Sequence, residues 1–182
     1  MCFKPKQLQH LSVPVFKLNG KELEMVIDRK YLGVIITDDL RNDSDIKRQI
    51  KSVYVKGNVL VRKFSKCTAE VKARLFKAYC SSFYCDSLWC NYYSETYRKS
   101  QTSYNIILRK LSKLDRLNSI SEKCLHINVD CLKVLLRKDA FSFRDRIFKC
   151  QNDLVKCLTM STYFISCSLT EKWNDLLFKF KQ

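Results

Sequence analysis

Glycine and proline are nearly missing, with three glycines and two prolines in 182 residues. Turn-rich sandwiches and barrels need those residues for their tight connections, so an all-β architecture is disfavoured and a mainly helical chain is expected. Acidic residues are also scarce: 18 Asp+Glu stand against 34 Lys+Arg, a net charge of +16. That balance favours polyanionic partners and opposes self-association by repulsion. Histidine is limited to His10 and His126, and no CxxC pair occurs, so the close-spaced ligands of a structural zinc site are not evident. The three glycines, Gly20, Gly33 and Gly57, are scattered, which leaves no phosphate-cradling loop. Long apolar runs are lacking as well. The most apolar stretch, Leu75 to Cys90, is broken by Lys77 and Asp86, too short and too charged to span a membrane.

What is present suffices for a folded domain. The chain is 46% hydrophobic and 12% aromatic, and a chain of this size buries roughly 70% of its unfolded surface. The length fits one domain, or one domain with an appendage. Ten cysteines fall below the density of about 8–10% found in disulfide scaffolds. The start, Met1-Cys2-Phe3-Lys4-Pro5-Lys6, has no continuous apolar segment of the secretory kind. Reduced thiols acting as small apolar residues, and an intracellular location, are the expectation.

Three regions follow from the pattern. Residues 1–40 carry β signals: Val13 to Leu18, an Asn19-Gly20 turn, Leu23 to Ile27, and a buried strand over Tyr31 to Ile36, together forming a small sheet. Residues 41–160 read as a helical bundle. The cluster Thr37 to Asp45 supplies capping oxygens and negative charge for a long helix, on which Ile50, Val53, Gly57, Leu60 and Phe64 share one face. Gly57 weakens that helix by about 1 kcal/mol relative to Ala, and a close neighbour is the usual reason for such a glycine. Thr68 caps a second helix with the stripe Val71, Leu75, Ala78, Tyr79 and Phe83, running to about Asn91. Further helices are expected over Ser94 to Leu114, Asp130 to Phe148 and Asp153 to Leu158. Residues 161–182 form a tail with a short helix from Thr170 to Phe180. The predicted fold class is α+β, mainly α.

Charge is concentrated. Between Ile46 and Cys80 lie ten basic residues and one acid, Glu70. Solvated helix faces usually mix signs to gain i,i+4 pairs, so this excess points to phosphate neutralisation, by Lys47, Arg48, Lys51, Arg62, Lys63 and Lys66. Asp38-Asp39 follows a predicted strand, where magnesium-binding carboxylates are often found. Neighbouring strand residues point to opposite faces, however, and helix capping accounts for Asp43 and Asp45. His126, among apolar neighbours, reads as a structural histidine. No metal or other cofactor is implied, and spacing points away from a self-contained enzyme.

Tyr31-Leu32-Gly33-Val34, continued by Ile35-Ile36-Thr37-Asp38-Asp39, resembles the Y-L-G motif that follows the polymerase palm in reverse transcriptases of LINE-type (non-LTR) retrotransposons. The block from Asp45 to Ile50, Gly57 to Cys67, Val71 to Cys80 and Leu88-Trp89 is similar to the region after the palm in animal elements of that kind. Tyr104-Asn105, Leu108-Arg109, Leu135 to Lys138 and Phe141 to Phe143 continue the similarity, which covers about Met1 to Leu158. The resemblance implies that Tyr31, Leu32 and Gly33 belong to a primer-grip-like hairpin and that the helices from Ile46 form a thumb. It also implies that the family's metal-binding aspartates lie upstream of this segment. The expected function is therefore that of a non-catalytic fragment of an RNA-directed DNA polymerase, binding the backbone of an RNA·DNA or DNA duplex. The alternative is a structural remnant whose apolar surface, once packed on a palm, binds a protein partner; the aromatics Phe83, Tyr84, Trp89, Tyr92 and Tyr93 would contribute.

Overall fold

The structure, a computed structural model, describes residues 1–3, 14–112 and 119–178, the side chain of Lys123 excepted. His10, Val13, Leu114 and Phe180, invoked above, lie outside the described residues. The architecture is α+β and mainly α, with two small hairpins followed by helices.

The first hairpin pairs β1 (Lys17–Leu18) with β2 (Lys21–Glu22). Asn19 and Gly20 both have positive φ, 50° and 76°, the geometry for which Asn-Gly is favoured. The second strand stops at Glu22 and does not continue through Ile27, because this hairpin is exposed on both faces and has nothing to bury. Nor is Tyr31–Ile36 one strand. It is the turn of a second hairpin, β3 (Asp28–Tyr31) against β4 (Val34–Thr37), with Leu32 at φ 45° and Gly33 at φ 85°. A Cβ on Gly33 would also lie 3.0 Å from the Tyr84 ring. The two hairpins form separate two-stranded sheets rather than one, and only β4 faces the helices.

The first helix, α1 (Asp43–Lys63), buries Ile46, Ile50, Val53, Gly57 and Leu60, the expected stripe. Alongside it lies α3 (Ser94–Ser112), which contributes Tyr104, Ile107, Leu108 and Leu111 to the same core. The two run in the same direction: the Tyr93 amide donates to Asp43 at one end, and Ile107 packs on Gly57 at the other. A Cβ on Gly57 would collide with the Ile107 side chain, so this glycine permits the closest approach of the pair.

The second helix, α2 (Ala69–Cys80), is shorter than predicted and turns a different face inward. Ala73, Phe76 and Cys80 are buried, whereas Val71 and Tyr79 are exposed. Lys72 is buried too, its ammonium donating to the Ser65 carbonyl at 2.9 Å, and Leu75 packs against the core from its edge. The helix ends at Cys80, and Cys85, at φ 58°, leads into a single 3₁₀ turn over Asp86–Leu88.

After α4 (Ile120–His126), on which His126 is exposed rather than packed in a core, the chain enters α5 (Leu132–Lys149), α6 (Asp153–Met160), α7 (Thr162–Ile165) and α8 (Ser168–Leu177). A second cluster forms here from Ala140, Phe164 and Trp173. Trp173 is 1% exposed, and its indole donates to the Ser87 carbonyl at 2.8 Å, so the last helix is anchored on the 3₁₀ turn and on α5. All ten cysteines are free thiols. Burial pushes Cys80 up to about 11, which leaves it an inert apolar group at neutral pH. Among the described residues no three His, Cys, Asp or Glu side chains come together as a metal site, and no helix is long and apolar enough to cross a membrane.

Candidate nucleic-acid interface

The basic residues of α1 divide into two groups. Lys47, Lys51 and Arg62 fall within about 60° of one another around a helix of 100° per residue, along roughly 22 Å of its axis, and all three are on its solvent side. Lys63 is exposed on another side of the last turn, and Lys66 in the turn beyond it. None of these five lies within ion-pair distance of a carboxylate among the described residues.

Arg48 differs. Its guanidinium donates to Asp45 Oδ1 from Nε at 3.0 Å and from Nη2 at 2.6 Å, and Nη2 also donates to the Gly33 carbonyl at 2.8 Å. Its place is therefore at the base of the β3–β4 turn, where it holds the Tyr31-Leu32-Gly33 segment to α1. Gly33 accepts that bond, while Tyr31 and Leu32 project into solvent.

Asp45 itself is fully buried. Besides Arg48 it accepts the Ile35 amide at 3.1 Å on Oδ1 and the Trp89 indole at 3.1 Å on Oδ2. It is thus no helix cap; it joins the hairpin, α1 and the 86–91 segment. Asn42 occupies the N-cap position, but its side chain turns outward and accepts the amides of Cys90 and Asn91. Asp43 accepts the Tyr93 amide and the Arg41 guanidinium. Burial would raise its carboxyl, but hydrogen bonds from Thr96, Tyr93 and Arg41 outweigh that and hold it below the usual range. Asp39 accepts the Thr37 hydroxyl at 2.6 Å and the Arg41 amide at 3.1 Å, a turn-stabilising role.

Across from the cationic face of α1, α3 supplies what sequence reasoning missed. A groove of about 420 Å³ runs between the two helices. Lys47 and Lys51 stand on one lip and Lys99 on the other, with Ile50, Tyr54 and Val55 along the α1 wall and Thr96, Ser100 and Ser103 along the α3 wall. Lys110 reaches across to the Tyr54 hydroxyl at 3.4 Å and sits 5.3 Å from its ring centre, a cation–π distance. Lys99 pairs with Glu95 at 2.7 Å. A signal for this second row exists in the sequence: Lys99 and Lys110 are eleven residues apart, as are Lys51 and Arg62, and eleven residues return to nearly the same helix face.

A second concavity, of about 920 Å³, opens between the β3–β4 hairpin and the 3₁₀ turn. It is lined by Phe3, Tyr31, Leu32, Leu40, Tyr84 and Leu88 among others, all of them exposed. Of the aromatic cluster named above, Trp89 belongs to the core and Phe83 and Tyr92 pack against it, whereas Tyr84 and Tyr93 face outward.

Compared with known proteins, the chain matches no family model, no curated protein and no solved structure.

Proposed function

We propose that this chain is the end-of-palm and thumb segment of a LINE-type retrotransposon reverse transcriptase, and that it binds template–primer duplex without carrying a polymerase site of its own. The observation that supports this reading is the outward-facing row Lys47, Lys51 and Arg62, without a carboxylate at ion-pair distance among the described residues and faced by Lys99 and Lys110 across the groove. Cations fixed on one rigid helix face neutralise backbone phosphates without reading sequence. Lys63 and Lys66 extend the contact beyond the end of α1. Arg48, engaged inward, acts by positioning Tyr31, Leu32 and Gly33 beside the primer end. Fluorescence anisotropy with a labelled blunt RNA·DNA hybrid tests the reading: affinity should fall steeply between low and moderate salt. A folded chain that ignores the hybrid at low salt overturns it, and magnesium-dependent extension of a primed template by this chain overturns the assignment as non-catalytic.

A second reading rests on the 920 Å³ apolar cleft, since contiguous exposed apolar surface of that kind marks protein interaction sites. In it the chain is an interaction module that docks a protein surface between the β3–β4 hairpin and the 3₁₀ turn. Partner binding that survives neutralisation of Lys47, Lys51 and Arg62 would favour this second reading.

A further inference from the structure

The groove between α1 and α3 is more than a row of cations. Its floor and walls combine apolar side chains with hydroxyls, and its volume of about 420 Å³ lies within the roughly 300–1,000 Å³ of small-molecule sites, where an apolar lining and a few placed polar groups are the rule. A duplex backbone has no use for such a lining, because phosphates need only the lysines on the rim. An unpaired nucleotide uses both.

The two innermost hydroxyls give the polarity of the site. Ser100 is 5% exposed and donates its proton to the Thr96 carbonyl at 2.8 Å. Thr96 is 7% exposed and hydrogen-bonded to the Asp43 carboxylate, which can only accept. Both protons are therefore committed inside the protein, and each oxygen offers lone pairs alone to an occupant. The groove wants a flat apolar body with N–H donors on its edge and anionic groups on either side, reaching Lys47 and Lys51 on one lip and, on the other, Lys99 in exchange for its solvent-exposed Glu95 partner. A nucleobase between its two backbone phosphates has that form. An acidic peptide would meet the lysines and donate its amide N–H groups, but its carboxylates bring no flat apolar body to the wall between them.

We propose that the α1–α3 groove is a subsite for one unpaired nucleotide, taken from the single-stranded overhang of a template–primer. This rests on the duplex-binding reading above, and the two are separable by experiment. Three labelled RNA·DNA hybrids are compared by anisotropy with the full chain: blunt, with a four-nucleotide cytidine overhang, whose bases each carry an exocyclic amine with two N–H donors, and with an overhang of the same length whose sugars carry no bases. The phosphate number of the last two is equal, so electrostatics alone predicts equal affinity. The expected result is about tenfold tighter binding for the cytidine overhang than for the abasic one, the worth of one well-seated base. Ser103→Phe, which fills the groove without altering charge, should bring the ratio of the two affinities, measured in that variant, close to one. Equal binding of the cytidine and abasic overhangs by the wild-type chain overturns the subsite and leaves duplex binding standing. Failure to bind any of the three hybrids overturns both, and failure on the blunt hybrid alone overturns the duplex reading.

Discussion

The carboxylate of Asp45 and the indole of Trp89, 44 residues apart, meet at 3.1 Å in the interior. The same carboxylate holds Arg48 and the Ile35 amide, so three segments share one acceptor. Asp45→Asn removes the charge that Arg48 neutralises and replaces one acceptor oxygen by a donor. Breaking a buried pair from one side costs about 3 kcal/mol when its partner is partly solvated. Thermal unfolding followed by circular dichroism should show that loss, while Asp38→Asn shifts the midpoint little. An Asp45→Asn chain as stable as wild type would remove Asp45 from its place as the junction.

Gly57 sets the spacing of α1 and α3. Alanine is the better helix former by about 1 kcal/mol, yet Gly57→Ala should destabilise, since a Cβ there collides with Ile107 and overpacking costs roughly 1–3 kcal/mol. In an Ile107→Ala background, which lacks the Cγ2 that the new methyl meets, Gly57→Ala should cost less than it does in the wild type. A double-mutant cycle in urea reads the coupling, and additive effects would contradict the packing of Ile107 on Gly57.

Asp86 lies in the 3₁₀ turn, 7% exposed, with its carboxyl in hydrogen-bonding reach of that of Asp139. Burial, and then the neighbouring carboxylate of Asp139 on α5, push its carboxyl from 3.8 up to about 8. The folded state thus keeps a proton that the unfolded chain has already released above pH 4, and stability declines as pH rises from about 4 to about 8. Asp43, held low, acts in the opposite sense and only in acid: its contribution is present at neutral pH and lost as pH falls below the usual carboxylate range. Asp86→Asn should flatten the decline above pH 4 and make the variant the more stable chain at pH 8.5, by about 1–3 kcal/mol. Urea titrations at pH 5, 6.5 and 8.5 decide it; a wild-type chain that is no weaker at 8.5 than at 5 would show that the pair ionises without cost.

The charge row on α1 predicts a slope. Replacing Lys47, Lys51 and Arg62 by Gln should lower the dependence of log affinity on log salt by roughly 0.9 for each phosphate no longer neutralised, with melting temperature little changed because all three face solvent. An unaltered slope would move the duplex contact away from α1.

Element types were largely legible in the sequence, because the apolar period of α1 and the Asn19-Gly20 turn are local signals. The face of α2 was not. Val71, Leu75 and Tyr79 keep helical spacing as well as Ala73, Phe76 and Cys80 do, and which stripe turns inward depends on the α1 and α3 side chains that it meets. Asp45 was misread for the same reason: next to a helix start a carboxylate looks like a cap, and nothing near it announces Trp89. Of the interface, the α1 lysines could be found from charge density alone. Arg48 could not be told apart from them, since its inward role depends on the β3–β4 turn, and the α3 wall became visible only when the two helices were seen side by side.

That parallel arrangement has an electrostatic consequence. Two antiparallel helices cancel their macrodipoles, whereas α1 and α3 add theirs, leaving positive ends together at Asp43 and Ser94 and negative ends together near Lys63 and Ser112. Side chains oppose both ends, with Asp43, Asp45 and Glu95 in the first turns and Arg62, Lys63, Arg109 and Lys110 in the last. The acids of the first turns are offset a turn later by Lys47, Arg48, Arg98 and Lys99, whereas within α1 and α3 no acid accompanies the bases of the last turns. In the field of a polyanion such a molecule experiences a torque before it touches anything, and it arrives with the Arg62–Lys110 end leading.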